Sequence, residues 1–106
     1  MAGGRDTWVT ALSLGVAETT SEIRKALKAA DEPWGLIVTQ LRPVGPGAVA
    51  GLTVGDLLTH LGINPLIHAA DILAVAKPTP QNPVLVRVVR SGTARFVAIT
   101  GEERAP

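Results

Sequence analysis

Hydrophobic and polar positions change period several times along the chain, and each change marks an element. Over residues 8–16 strand-forming residues alternate, with Leu12, Leu14 and Val16 on one face, which predicts a strand. From residue 21 the period lengthens. Ile23, Ala26, Leu27 and Ala30 follow the i, i+3, i+4, i+7 spacing of an amphipathic helix, and Thr19 stands three residues before Glu22, the spacing of a capping box. A short helix over residues 21–30 is therefore expected. Residues 35–41 form an almost unbroken apolar strand, stopped by Pro43-Val44-Gly45-Pro46-Gly47, which can continue neither strand nor helix. One helical turn is expected at residues 47–50.

Residues 57–61 read as a strand between Gly55-Asp56 and the turn Gly62-Ile63-Asn64-Pro65. Residues 69–76 have helix-forming composition, and Pro78, Pro80 and Pro83 limit that helix to about two turns. Two last strand-like runs, residues 84–90 and 94–100, are separated by Ser91-Gly92-Thr93, which suits a hairpin. The pattern predicts an α+β fold: a small, partly open β-barrel or sandwich of about five strands, capped by two short helices. The folded domain is expected over residues 8–100, with 1–7 and 101–106 as flexible, polar termini.

Composition narrows this further. The 106 residues suffice for one core, and Trp8, Trp34 and Phe96 are the only aromatics, so that core must be aliphatic. Ten Lys plus Arg against nine Asp plus Glu give a net charge of +1, without the clustered basic face that nucleic-acid binding needs. With no cysteine, a disulfide framework, a thiol nucleophile and a Cys-based zinc site are all excluded. No apolar run approaches the ~18 residues of a membrane span, and the first residues lack the apolar core of a secretory signal. On these features alone the chain reads as cytosolic or as a segment of a larger protein.

Chemistry-bearing motifs are sparse. Ser13, Ser21 and Ser91 lack the Gly-x-Ser-x-Gly context of a nucleophile elbow. His60 and His68 fall in different elements with no metal-ligand spacing around them, so neither a metal nor a cofactor is expected. The glycines at 45 and 47 are followed by alanines rather than a P-loop Lys-Ser/Thr and read as a turn.

One stretch carries more information. Pro43-Val44-Gly45-Pro46-Gly47-Ala48-Val49-Ala50-Gly51-Leu52-Thr53-Val54-Gly55-Asp56-Leu57-Leu58 resembles the PDZ signature of bacterial HtrA-type proteases: a Pro-rich turn, small residues, Ala-Gly-Leu, then Gly-Asp leading into a strand. The resemblance extends over most of residues 11–100. Ala11-Leu12-Ser13-Leu14 and the helix Ser21-Glu22-Ile23-Arg24-Lys25-Ala26-Leu27 look like the family's ligand loop and first helix. Asp71-Ile72-Leu73 looks like its second helix, and residues 84–100 look like its closing hairpin. This order is that of the circularly permuted bacterial form.

The resemblance implies a module that binds C-terminal peptides or unfolded protein segments as an added strand. Ala11, Leu12, Ser13 and Leu14 would form the carboxylate-binding loop, and Leu14, Gly15 and Val16 the strand to which a peptide adds. Leu12, Leu14, Ile72, Val75 and Ala76 would line the pocket for the last ligand side chain. His68, one turn before Ile72, resembles the residue that accepts a ligand hydroxyl in domains preferring Ser or Thr two positions from the terminus. Ser13 stands where the family pattern has glycine. No catalytic residue is implied, because the family's protease triad belongs to a separate domain. The implied partners are peptides and the remainder of a multidomain parent, with no nucleic acid, and the implied compartment is the periplasm or cell envelope. The competing expectation is an assembly module in a secretion or scaffold protein, with a degenerate or self-occupied groove.

Overall fold

The alternation that predicts one strand over residues 8–16 builds two. In the computed structural model, which describes residues 6–101, β1 (Thr7–Val9) and β2 (Leu14–Glu18) are antiparallel neighbours joined by a turn at residues 10–13. Leu12 N donates to Val9 O (3.1 Å) and Ser13 N to Thr10 O (3.3 Å), closing that turn. The expected continuous strand is thus broken, although Leu12, Leu14 and Val16 are all fully buried: the alternation reported the core face correctly while the backbone reversed between Val9 and Leu14. Of the termini expected to be flexible, 1–7 and 101–106, residues 1–5 and 102–106 lie outside the described residues, while Thr7 is paired in β1.

Helix α1 (Ser21–Ala26) begins one residue later in its capping pattern than the sequence suggests. Thr20 is the N-cap, its Oγ1 accepting from Ile23 N at 3.2 Å. Thr19 instead donates to Gly35 O (2.7 Å) and accepts from Arg24 Nη1 (2.9 Å), tying the helix to the chain that enters β3 (Leu36–Leu41). The helix ends at Ala26 rather than near residue 30. Lys28 turns into the left-handed region (φ 60°), and Ala29 N returns to Arg24 O at 2.8 Å. No residue of α1 is fully buried, so packing gives it no reason to extend.

Pro46 opens α2 (Pro46–Val49), the expected single turn. β4 (Leu57–Leu61), β5 (Asn64–Pro65), α3 (Ala70–Leu73), β6 (Val84–Arg90) and β7 (Thr93–Ile99) follow in the described residues. The strands form one antiparallel sheet in the order β1-β2-β3-β4-β6-β7, with β5 paired to β4, and the sheet does not close. Among the described residues seven strands replace the expected five, because β1 separates from β2 and the Asn64-Pro65 turn pairs back on His60 and Leu61. The third helix is α2. Helix α3 is one turn, not two: Val75 and Ala76 lie beyond its C-cap, Ala74, in chain running toward Pro78.

The core is aliphatic, as three aromatics require. Val9, Leu14, Val16, Leu36, Leu58 and Ile72 belong to one buried cluster, whereas Trp8 and Phe96 are exposed. Trp34 is half-buried, donating from Nε1 to Thr59 O at 3.0 Å and meeting His60 edge-on at 5.8 Å.

The Gly-Asp of the signature has a structural task. Asp56, 1% exposed, accepts from Thr53 N (2.9 Å), Thr53 Oγ1 (3.1 Å), Arg90 Nε (2.7 Å) and Arg90 Nη2 (2.7 Å). Arg90 also donates to Gly51 O at 2.8 Å, so one guanidinium fastens the exit of α2 to the sheet. Burial pushes the Asp56 carboxyl upward, but the hydrogen bonds from Arg90 and Thr53 and the Arg90 charge outweigh it, leaving the carboxyl below its ordinary value.

Candidate peptide groove

Strand β2 has two edges. One pairs with β3 along its whole length, with an irregularity between Gly15 and Val16. The other pairs with β1 in the register Thr7↔Val16, Trp8↔Gly15 and Val9↔Leu14, leaving Ala17 and Glu18 beyond it. The approach to α3 is tied to the far end of this second edge: Glu18 Oε2 accepts from Ala69 N at 3.0 Å and lies 3.6 Å from His68 Nδ1. Ile72 of α3 shares a buried cluster with Val9, Leu14 and Val16. The edge proposed to receive a peptide therefore already carries a strand, antiparallel, with its C-terminal residue Val9 beside the loop.

The loop itself is held from both sides. Its Leu12 and Ser13 amides close the turn, while its carbonyls accept from the α2 side: Leu12 O from Gly47 N (3.2 Å) and Ser13 O from Arg42 N (3.1 Å). Two glycines of the signature make this approach possible. A Cβ on Gly45 would lie 2.5 Å from Ser13 Cβ, and one on Gly47 would lie 2.9 Å from Leu14 Cδ2 and 3.2 Å from Leu12 O. Ser13 adopts φ 55°, the left-handed conformation that favours glycine. Its side chain packs toward Gly45.

Of the residues singled out from the sequence, Leu12, Leu14, Val16 and Ile72 come together in the core with Val9, and Val75 packs half-buried against them. Gly15 is buried in β2 and Ala11 half-buried in the turn. Ala76 is exposed and off the helix, so it does not share a helical face with Ile72, because α3 ends at Leu73. His68 stands two residues before α3 with its side chain 68% exposed. Its backbone N donates to Asp71 Oδ2 (2.7 Å), as does Ile67 N (2.9 Å), and these two amides hold the Asp71 carboxyl below its ordinary value. Sequence reasoning missed Thr7, Val9 and Glu18. The alternation of Thr7, Trp8 and Val9 was visible, but nothing marked the turn that follows it.

Comparison with known proteins decides the family. A probable periplasmic serine endoprotease, DegP-like, of Pseudomonas fulva is 38% identical over 87 residues, covering 81% of this chain and 17% of the relative. The same protein of Pseudomonas putida strain F1 is 32% identical over 96 residues, covering 90% of the chain and 19% of the relative. The crystal structure of the HtrA3 PDZ domain bound to a phage-derived ligand, FGRWV, superposes with a TM-score of 0.59 at 18% identity, covering 96% of this chain and 84% of that one. The chain is a PDZ domain of the HtrA type. No protein-family model matches it. It spans less than a fifth of the length of the DegP-like relatives, and the match is confined to their PDZ region and includes no protease domain. Those relatives are periplasmic by name, and the periplasm is the compartment of this PDZ domain.

Proposed function

We propose that this PDZ domain recognises peptide C-termini or exposed unfolded segments by strand addition to β2, as the substrate-recognition or regulatory part of an HtrA-type periplasmic serine protease. The observation that carries the proposal is the β2 edge. It takes an antiparallel strand whose terminal side chain, Val9, is 1% exposed among Leu12, Leu14 and Ile72. Main-chain pairing along such an edge supplies affinity, and the pocket under the last residue supplies selectivity. Val9 O takes the hydrogen bond of Leu12 N at 3.1 Å, an acceptor position suited to one oxygen of a terminal carboxylate. The HtrA3 domain is bound to a peptide ending in Trp-Val, and Trp8-Val9 are the two residues that close β1, which adds support.

The test is an NMR titration with a free-acid peptide and its C-terminal amide. The free acid is expected to shift resonances of residues 12–16 and 69–76, and amidation to weaken binding. Shifts confined elsewhere, or equal affinity for the amide, would overturn carboxylate capture. The second reading, an assembly module whose groove is permanently filled, is favoured by the β1–β2 pairing itself. It is the outcome if no peptide shifts these residues.

A further inference from the structure

We infer that Thr7-Trp8-Val9 is a tethered ligand of the domain's own groove, one that an incoming C-terminus must displace and whose pattern names the ligand class. The inference rests on the peptide-binding reading of β2. Five observations carry it. β1 runs antiparallel to β2 and ends at the loop, the direction in which a C-terminal peptide would run. Val9 is 1% exposed and belongs to the cluster of Leu12, Leu14 and Ile72, while Trp8 is 45% exposed and Thr7 half-buried, the alternation of a strand with one face in a groove. Val9 O occupies the Leu12 amide that a terminal carboxylate would need. β2 is flanked by β3 on its other edge, so no second strand can pair with Leu14, Gly15 and Val16 while β1 is present.

The fifth observation concerns exchange. β1 has three residues and pairs only with β2 among the described residues, so its release breaks one short ladder and leaves β2–β3 intact. The four-residue turn keeps its closure entropy small, and a tether this short gives β1 an effective concentration on the order of millimolar. A strand that is short but always nearby competes without sealing the site. The domain's ligands are accordingly C-termini ending in a β-branched aliphatic residue preceded by an aromatic one. Their apparent affinity is reduced by the fraction of time that β1 is docked.

The test measures binding of a fluorescent free-acid peptide ending in Thr-Trp-Val to three forms of the full chain: wild type, Val9→Gly, and Thr7→Cys/Val16→Cys. The last pairs two residues that face each other across β1 and β2 in a chain with no other cysteine. Val9→Gly is expected to bind about tenfold tighter than wild type or better. The oxidised double variant is expected not to bind until reduced. In the wild-type complex the Val9 methyl resonances should move to solvent-exposed positions. Equal affinity of the three forms, or a saturated wild-type complex in which Val9 stays buried, overturns the tethered ligand and leaves the peptide-binding reading standing. Absence of binding to every form, Val9→Gly and the reduced pair included, overturns both. The clamp is reversible within one sample, which keeps the test decisive if Val9→Gly does not fold.

Discussion

Replacing Asp56 with Asn probes the joint that fastens the exit of α2 to the sheet. The side chain keeps its shape but presents one acceptor oxygen where two now collect four donors, from Thr53 N, Thr53 Oγ1, Arg90 Nε and Arg90 Nη2. Leaving buried donors unpaired costs about 1–3 kcal/mol, and breaking a buried ion pair about 3–5 kcal/mol. Arg90 is 34% exposed and recovers part of its hydration, which brings the expected loss to roughly 2–3 kcal/mol. For a domain of this size that is a fall in melting temperature of about 10–20 °C. The pH dependence has a definite sign. The folded-state pKa of Asp56 lies below its ordinary 3.8, so the stabilisation is complete above that value and disappears as pH falls through the folded pKa. Thermal melts of wild type and Asp56→Asn, followed by circular dichroism at neutral pH and near pH 2, should show a wide gap that narrows in acid. A gap of only a few degrees at neutral pH, or one that persists unchanged in acid, would refute the reasoning.

Three further substitutions separate the parts of the site. Ser13→Gly relieves a left-handed residue at the expense of unfolded-chain entropy and should stabilise by about 0.5–1 kcal/mol in denaturant melts. Because the Ser13 side chain packs toward Gly45, peptide affinity measured by calorimetry should not change, and a large tightening would mean that Ser13 obstructs the groove. Gly45→Ala should destabilise by about 1–3 kcal/mol through its collision with Ser13 Cβ, and Ser13→Gly should rescue most of that loss in a double-mutant cycle. His68→Ala should leave stability unchanged, since the side chain is 68% exposed, while removing any preference for Thr-x-Val over Val-x-Val peptides; a preference that survives the substitution excludes His68 as its source.

How much of this was legible in the sequence depends on where the turn signals lay. The β6–β7 hairpin and β4 were readable nearly to the residue, because Ser91-Gly92 and Gly55-Asp56 punctuate strand-like runs. The β1–β2 hairpin was not, because its turn is built from Thr10, Ala11, Leu12 and Ser13, with no glycine, proline, asparagine or aspartate to announce it. Ser13 takes the left-handed position that a glycine would have advertised. The capping-box spacing pointed to Thr19, but the Gly35 carbonyl claims that hydroxyl and the adjacent Thr20 caps the helix. Helix α3 looked longer because Val75 and Ala76 carry helical spacing. Val75 reaches the core from just beyond the helix's C-cap instead. The tie between Glu18 and Ala69 spans 51 residues and has no local signature at all. The pocket residues were therefore legible as apolar positions, while the strand lying over them emerged only from tertiary pairing.

The claim on which everything turns is that an incoming peptide takes the β2 edge now held by β1. Isotope-filtered NOE spectroscopy on a labelled domain saturated with unlabelled free-acid peptide reads that edge directly. In the free domain, cross-strand NOEs should connect Trp8 with Gly15. In the complex they should vanish and be replaced by NOEs from the penultimate peptide residue to Gly15. Persistence of the Trp8–Gly15 contact in a saturated complex would contradict the account.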